Sequence, residues 1–156
     1  MTLFLVQHGE ATPGTTDSER CLTSRGTETV ERMADWFAQT GIKVDEIRHS
    51  GKRRAEQTAT VFANHVNPQK GVIAVGGLNP NDDVTLVAGP LHGEQGSIML
   101  VGHLPHLSKL VGFLVTGNSE TEIIRFHNAG IVCLTQKDGN WAIDWVMRPD
   151  LLSKAT

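Results

Sequence analysis

Long apolar runs are absent from this sequence. The longest ones, at residues 3–6, 98–101 and 110–115, are far shorter than the roughly 20 residues that a membrane-spanning helix needs. The N-terminus enters its first apolar segment directly, without the basic region and cleavage site of a secretory signal. We therefore expect neither membrane contact nor secretion.

Cysteine is scarce as well. Cys21 and Cys133 lie far apart, and no Cys-x-x-Cys pair is present, so neither a disulfide framework nor a zinc knuckle is expected. Scarce cysteine fits a reducing, cytoplasmic location. Repeats, low-complexity tracts and linkers are also missing. A chain of 156 residues with 39% apolar content is therefore predicted to form one globular domain over residues 1–156.

The chain also lacks an excess of positive charge. Its formal net charge is −3, which argues against a nucleic-acid-binding protein. The exception is a basic cluster within seven residues, formed by Arg48, Lys52, Arg53 and Arg54. Taken alone, such a cluster is usually a solvated helix start.

What the sequence does contain is an alternation of strand and helix patterns. Short apolar runs predict strands at residues 3–7, 44–49, 71–75 and 98–102. Helical spacing and end signals predict helices at residues 24–40, 53–65, 82–91 and 105–116, with Thr23 capping the first. Strands that alternate with helices indicate an α/β domain with a mostly parallel sheet.

The C-terminal part has a different pattern. Two strand-like segments at residues 130–136 and 141–147 flank an Asp-Gly turn, which predicts an antiparallel hairpin at the sheet edge. Trp141 and Trp145 lie at even spacing within the second segment, so they are expected to share one face.

Residues suited to phosphate chemistry follow three of the predicted strands. His8 follows the first strand, Arg54 lies near the start of the helix after the second, and His103 follows the fourth. In parallel α/β sheets, ligands bind beyond the carboxyl ends of the strands. The three side chains would therefore share a pocket if their strands were neighbours, which the sequence pattern does not establish.

Two imidazoles and a guanidinium fit phosphoryl transfer. A transferring phosphoryl group spreads negative charge over its oxygens, and arginine binds such oxygens in a charged fork. A neutral imidazole can attack phosphorus, and a second, protonated one can donate to an oxygen as charge builds. No Asp-rich cradle and no Gly-x-x-x-x-Gly-Lys loop is present, so we expect neither a metal nor another cofactor.

At this point the residues match a known family. The matching segments are Phe-Leu-Val-Gln-His-Gly-Glu at 4–10, Arg-Cys-Leu-Thr-Ser-Arg-Gly at 20–26, Ser-Gly-Lys-Arg-Arg-Ala-Glu-Gln-Thr at 50–58, Leu-Asn-Pro at 78–80 and Val-Gly-His-Leu-Pro at 101–105. Their order resembles that of the histidine phosphatase superfamily, also called phosphoglycerate-mutase-like. Within it, the chain is most similar to the SixA-type phosphohistidine phosphatases.

The resemblance implies a fold and a set of roles. The fold would be a three-layer α/β/α sandwich. His8 would be the nucleophile that becomes phosphorylated, while Arg54 and His103 would bind and stabilise the transferring group. Gln7 and Gly9 would complete the phosphate site, and Glu10 occupies a position that is often acidic in the family.

One residue departs from the family pattern, in which an arginine precedes the first histidine. That position is Gln7 here, so the site lacks one fixed positive charge, and loss of such a donor typically costs about 3 kcal/mol. Arg20, Lys52 and Arg53 are the cations that could replace it, and the sequence does not choose among them.

A general acid is the second gap in the pattern. Asp82 and Asp83 are the loop candidates, although carboxylates there also suit a helix N-cap. An imidazole leaves far more easily than an alkoxide, because its conjugate acid has a pKa of about 6.5. A site without an acid would therefore favour phosphoramidates over phosphomonoesters.

The functions that remain open differ in their substrates and partners. The leading hypothesis is a metal-independent phosphatase that removes phosphate from phosphohistidine on a histidine phosphotransfer domain, in cytoplasmic signal transduction. The alternatives are a small-molecule phosphomonoesterase and a non-catalytic phosphoprotein-binding module weakened by Gln7. The sequence does not set the oligomeric state.

Overall fold

The computed structural model describes residues 1–14 and 16–152. Within these residues the strands are β1 (Thr2–Gln7), β2 (Glu46–His49), β3 (Val72–Ala74), β4 (Ser97–Gly102), β5 (Ile131–Lys137) and β6 (Asn140–Met147). The α-helices are α1 (Ser24–Gln39), α2 (Arg53–Val66), α3 (Thr85–Leu91) and α4 (His106–Thr116). Short 3-10 helices lie at Asp17–Glu19 and Pro149–Leu151.

The strands form one sheet in the order β3-β2-β4-β1-β5-β6. The pairs β2–β3, β2–β4 and β1–β4 are parallel. The pairs β1–β5 and β5–β6 are antiparallel. A mostly parallel sheet with an antiparallel C-terminal hairpin is therefore confirmed.

Helices cover both faces of this sheet, because side chains alternate between the faces of a strand. Phe4 and Val6 of β1 pack in the same core as α1 and α2. Leu3 and Leu5 pack on the other face with α3 and α4. The three-layer α/β/α sandwich is confirmed.

The local signals at helix ends explain most of the boundaries. Thr23 caps α1, since its side chain accepts a hydrogen bond from the Gly26 N–H at 2.8 Å. The predicted helix at residues 82–91 begins later, at Thr85. Asp82 instead accepts the Asn79 N–H at 3.0 Å, and Asp83 accepts the Thr85 N–H at 2.9 Å.

The C-terminal hairpin corrects one expectation from the sequence. Its turn has the predicted geometry, with positive φ at Asp138 (54°) and Gly139 (79°), as a type I′ turn requires. The two tryptophans, however, do not share a face. Trp145 packs in the core beneath α1 and α2, whereas Trp141 packs in the opposite core. The register shifts at Cys133/Leu134, and such a bulge reverses the alternation of side chains.

The order of the strands positions the candidate site. β2, β4 and β1 are consecutive neighbours in the sheet, so their carboxyl ends lie at the same edge. The residues that follow them, Ser50, His103 and His8, are therefore brought together.

Among the described residues, no helix combines the length and the apolar composition that a membrane span requires.

Candidate active site

The three residues predicted to be catalytic lie together at this edge. The ring centroids of His8 and His103 are 5.0 Å apart, and Arg54 Nε lies 3.3 Å from His8 Nε2. Arg54 is 3% exposed and His103 is 1% exposed. The structure therefore forms the predicted cluster of two imidazoles and a guanidinium.

The hydrogen bonds of His8 define its tautomer. His8 Nδ1 lies 2.7 Å from the carbonyl oxygen of Gly9. Because a carbonyl can only accept, Nδ1 carries the proton and the lone pair of the neutral ring is on Nε2. Burial lowers the pKa of His8 to about 4, against the opposing effect of the Gly9 carbonyl. The ring is thus neutral near physiological pH, with Nε2 directed at Arg54.

Arg54 is held at the start of α2 by several of its N–H groups. Its Nη1 donates to the Asp17 carbonyl oxygen at 2.8 Å, and its Nη2 lies 3.3 Å from the Asp17 carboxylate. Its own carbonyl accepts the hydroxyl of Thr58 at 2.8 Å, and that hydroxyl oxygen accepts the Gly9 N–H at 3.1 Å. Thr58 therefore joins α2 to the loop that carries His8.

That bond also bears on the predicted role of Gly9. Its N–H is donated to Thr58, so in this structure it is not available to a phosphate. A side chain at this position would also clash, because a Cβ would lie 2.6 Å from Val30 Cγ2. Gly9 is needed here for the close approach of the loop to α1.

His103 is paired with a serine. Ser50 Oγ lies 2.6 Å from His103 Nε2, and Ser50 Oγ also accepts the Lys52 N–H at 3.3 Å. Burial, with the charges of His8, Arg54 and Lys52, lowers the pKa of His103 to about 3. The His103 ring is thus neutral in this structure, and a neutral ring has one N–H to donate.

An unpredicted residue, Asp17, gathers three cations. Its carboxylate lies 2.6 Å from Lys52 Nζ, 3.3 Å from Arg54 Nη2 and 3.4 Å from Arg20 Nη1. The hydrogen bond from Lys52 is the largest cause that lowers the Asp17 pKa to about 2. We call Asp17, Arg20, Lys52 and Arg54 the cationic side of the site.

Gln7 of the first motif forms an uncharged amide pair with Asn128. Gln7 Nε2 donates to Asn128 Oδ1 at 2.7 Å, and the Gln7 carbonyl accepts the Ala129 N–H at 2.8 Å. The Gln7 amide is therefore already committed to the loop before β5. Its Oε1 is buried without a hydrogen-bond partner among the described residues. We call Gln7 and Asn128 the amide side.

The predicted accessory carboxylates are not joined to this cluster. Glu10 is exposed and accepts the Thr23 hydroxyl at 2.9 Å, and Asp82 caps the turn before α3. Among the described residues, no hydrogen bond or ion pair links either carboxylate to His8, Arg54 or His103. Arg20, by contrast, belongs to the cationic side.

Sequence reasoning missed several residues of the site. Ser50 and Thr58 lie within a segment that matched the family, so their positions offered a signal. For Asp17, the sequence offered no signal beyond its spacing from Arg20. Asn128 lies 121 residues from Gln7, and only its place in a loop before the hairpin pointed to it. In the described part of the chain, no three His, Cys, Asp or Glu side chains are arranged to hold a metal.

Comparison with known proteins shows which family the chain resembles. The model of the histidine phosphatase superfamily (branch 1) matches residues 3–78, which include His8 and Arg54. The solved structure of the protein histidine phosphatase SixA, complexed with tungstate, superposes with a TM-score of 0.87 at 29% identity, over 96% of this chain and 98% of that one. Over this segment and in its fold, the chain is similar to the histidine phosphatase superfamily.

Individual relatives match over nearly their whole length. Phosphohistidine phosphatase SixA of Escherichia coli is 29% identical over 161 residues, which cover 99% of this chain and 98% of that protein. The α-ribazole phosphatase of Shigella flexneri has a TM-score of 0.80 at 15% identity, over 99% and 100% of the two chains. At that identity the likeness concerns the fold alone. The predicted enzyme class, a phosphatase and hence a hydrolase, is confirmed.

Proposed function

We propose that this protein removes the phosphoryl group from phosphohistidine on another protein, through a phosphorylated His8. The observation that carries the proposal is the neutral, partly buried His8, whose Nε2 lone pair faces the Arg54 guanidinium at 3.3 Å. A nucleophile beside a fixed cation suits attack on an anionic phosphoryl group.

In the first step, His8 Nε2 attacks phosphorus and the bond to the substrate imidazole breaks. The bonding electrons go to the departing nitrogen, and the substrate ring leaves as a neutral imidazole because its other nitrogen carries a proton. His8 keeps the proton on Nδ1, which donates to the Gly9 carbonyl oxygen, so the phosphorylated ring is cationic. That positive charge makes the ring a good leaving group for the next step.

In the second step, a water oxygen attacks phosphorus and the bond to Nε2 breaks. The electron pair returns to Nε2, and His8 leaves as a neutral imidazole with its Nδ1 proton in place. Inorganic phosphate is released. The ring is thereby restored without a proton from a carboxylic acid.

Donors around the ring would stabilise the transferring group. Arg54 provides N–H groups next to Nε2, and charged donors form hydrogen bonds about twice as strong as neutral ones. His103, oriented by Ser50, can donate its one ring N–H to an oxygen. Such preorganised donors generally contribute most of the rate enhancement.

Three observations support a protein-borne phosphohistidine as the substrate. Neither Glu10 nor Asp82 contacts the His8 cluster, and an imidazole leaving group has the least need for an acid. Leu104, next to His103, is 41% exposed, which favours an open site. The similarity to phosphohistidine phosphatase SixA supports the same substrate class.

The test is phosphate release from a histidine-phosphorylated phosphotransfer protein, with a chelator present. Wild type and His92→Ala should release phosphate, and His8→Ala should lose more than about 1,000-fold in rate, because the nucleophile is gone. His92 is the matched control, since it is an exposed histidine between α3 and β4, outside the cluster of His8, Arg54 and His103.

Other outcomes would contradict the proposal. Release that survives His8→Ala would exclude His8 as the nucleophile. If wild type released phosphate only from small phosphomonoesters, the metabolite phosphatase would replace the proposed function. If it bound the phosphoprotein without turnover, the protein would be a binding module.

A further inference from the structure

The charge missing at position 7 raises the question of which cation replaces it. The amide side cannot do so, because Gln7 is neutral and its N–H is committed to Asn128. The cationic side contains two candidates besides Arg54, namely Arg20 and Lys52. The third candidate from the sequence, Arg53, is exposed and forms no ion pair among the described residues.

Lys52 is less exposed than Arg20 and lies closer to the Asp17 carboxylate. Its side chain is 17% exposed although lysine is usually a surface residue, and its Nζ lies 2.6 Å from Asp17 Oδ2. Arg20 is 31% exposed and reaches the same carboxylate at 3.4 Å. The Arg20 Nε is also committed to the Thr12 carbonyl at 2.8 Å.

The backbone also fixes Lys52 close to the catalytic groups. Lys52 is the residue immediately before α2, and its N–H donates to Ser50 Oγ, the atom that contacts His103. Its side chain and the Arg54 guanidinium meet at one carboxylate. Two cations from the same helix start therefore converge on one anionic group.

The Asp17 carboxylate marks where an anion is favoured. Lys52 and Arg54 both bind it, yet the Asp17 side chain is 54% exposed and can turn into solvent. A phosphoryl dianion carries more charge than a carboxylate and would compete for the same donors. Lys52 can follow the anion, because its ammonium sits on a flexible stem.

We propose that Lys52 is a catalytic residue: its ammonium leaves Asp17, donates to an oxygen of the transferring phosphoryl group, and supplies the positive charge that Gln7 lacks. This role rests on the proposed function for its effect on turnover. Binding of a phosphate analogue tests it independently of any substrate.

The experiment compares Lys52→Met with Arg53→Met, which removes a neighbouring charge from the surface. Tungstate affinity is measured by calorimetry, and turnover with the phosphohistidine protein. Lys52→Met should weaken tungstate binding roughly 10- to 100-fold, the usual value of a charge-assisted bond, and lower kcat. Arg53→Met should change both by less than about threefold.

Two further variants separate loss of charge from loss of structure. Lys52→Arg keeps the charge and should retain tungstate binding within about fivefold. Gln7→Arg should restore most of the lost affinity in the Lys52→Met background and add little to wild type. Thermal unfolding checks that each variant is folded.

The proposal is overturned if Lys52→Met and Arg53→Met bind tungstate alike, or if Gln7→Arg raises affinity equally in both backgrounds. The failure of the proposed function would look different. Wild type would then release no phosphate from the phosphoprotein, while the tungstate affinities would still follow the charge at Lys52.

Discussion

The two sides of the site differ in charge and in how the chain builds them. The cationic side combines the 3-10 helix at Asp17–Glu19 and the following Arg20 with the N-terminal end of α2, and it holds three cations around Asp17. The amide side joins the end of β1 to the loop before β5 through the uncharged pair Gln7 and Asn128. The cations that lower the pKa of His8, Arg54 and Arg20, both belong to the cationic side, and we expect substitutions there to have larger effects than substitutions in the amide pair.

The largest effect is expected for Arg54→Met compared with Gln7→Met. Arg54→Met should lower kcat/KM about 100- to 1,000-fold, the usual cost of losing a transition-state donor. Gln7→Met should cost less than about tenfold, because a neutral bond of about 1 kcal/mol is lost. Steady-state kinetics with the phosphohistidine protein measure both. Equal losses would show that the charge asymmetry has no catalytic consequence.

Much of the fold could be predicted because its signals are local. Apolar runs, the Thr23 cap and the Asp-Gly turn each act within a few residues. The adjacency of β1, β4 and β2 depends on contacts between distant parts of the chain. The sequence pattern could therefore identify His8, Arg54 and His103 as candidates, but it could not predict that they lie close together. The functional roles came from the resemblance to a family.

What the sequence did not predict depends on tertiary contacts. The bulge opposite Cys133 places Trp145 in the core that contains α1 and α2, and no residue type in the sequence predicts such a shift. Asp17 gains its importance only when α2 brings Lys52 and Arg54 to it. Burial also lowers the pKa of His103, an effect that depends on the packed fold and not on the local sequence.

The pH dependence of stability tests the burial of the histidines. Burial lowers the pKa of His8 to about 4 and of His103 to about 3, and lowers those of His49 and His106 as well. Below the unfolded pKa of about 6.5, these histidines bind protons in the unfolded chain but stay neutral in the folded chain. Stability should thus be full above pH 6.5 and fall as the pH drops towards about 4, by up to about 1.4 kcal/mol per pH unit for each histidine.

Urea unfolding between pH 7.5 and 4.5 measures this slope. His103→Asn should reduce it, since one buried imidazole is removed. A midpoint that stays constant with pH would contradict the burial of these rings. The Asp17 carboxylate does not interfere, because its pKa lies below its usual value and its contribution is lost only at still lower pH.

A smaller effect is expected for Ser50→Ala, which extends the comparison to His103. Loss of the 2.6 Å contact should lower kcat by about tenfold, near the value of one hydrogen bond, with little change in KM. Ser50→Thr keeps the hydroxyl and should recover part of the rate. An unchanged kcat and pH profile in Ser50→Ala would show that Ser50 does not position His103.

The smallest effect concerns the anion already present on the cationic side. Asp17→Asn removes a carboxylate that competes for Lys52 and Arg54, so tungstate should bind about threefold more tightly, within the range of an exposed ion pair. Calorimetry measures the change. Weaker binding would mean that Asp17 serves to position the cations.

The most direct test of the account is to trap the phosphorylated enzyme. A phosphotransfer protein labelled on its phosphohistidine is mixed with this protein, quenched rapidly in alkali and digested for mass spectrometry. The account predicts a transient, acid-labile phosphoryl group on His8, which decays as inorganic phosphate appears. Phosphate release with no label on His8, or with label on another residue, would contradict it.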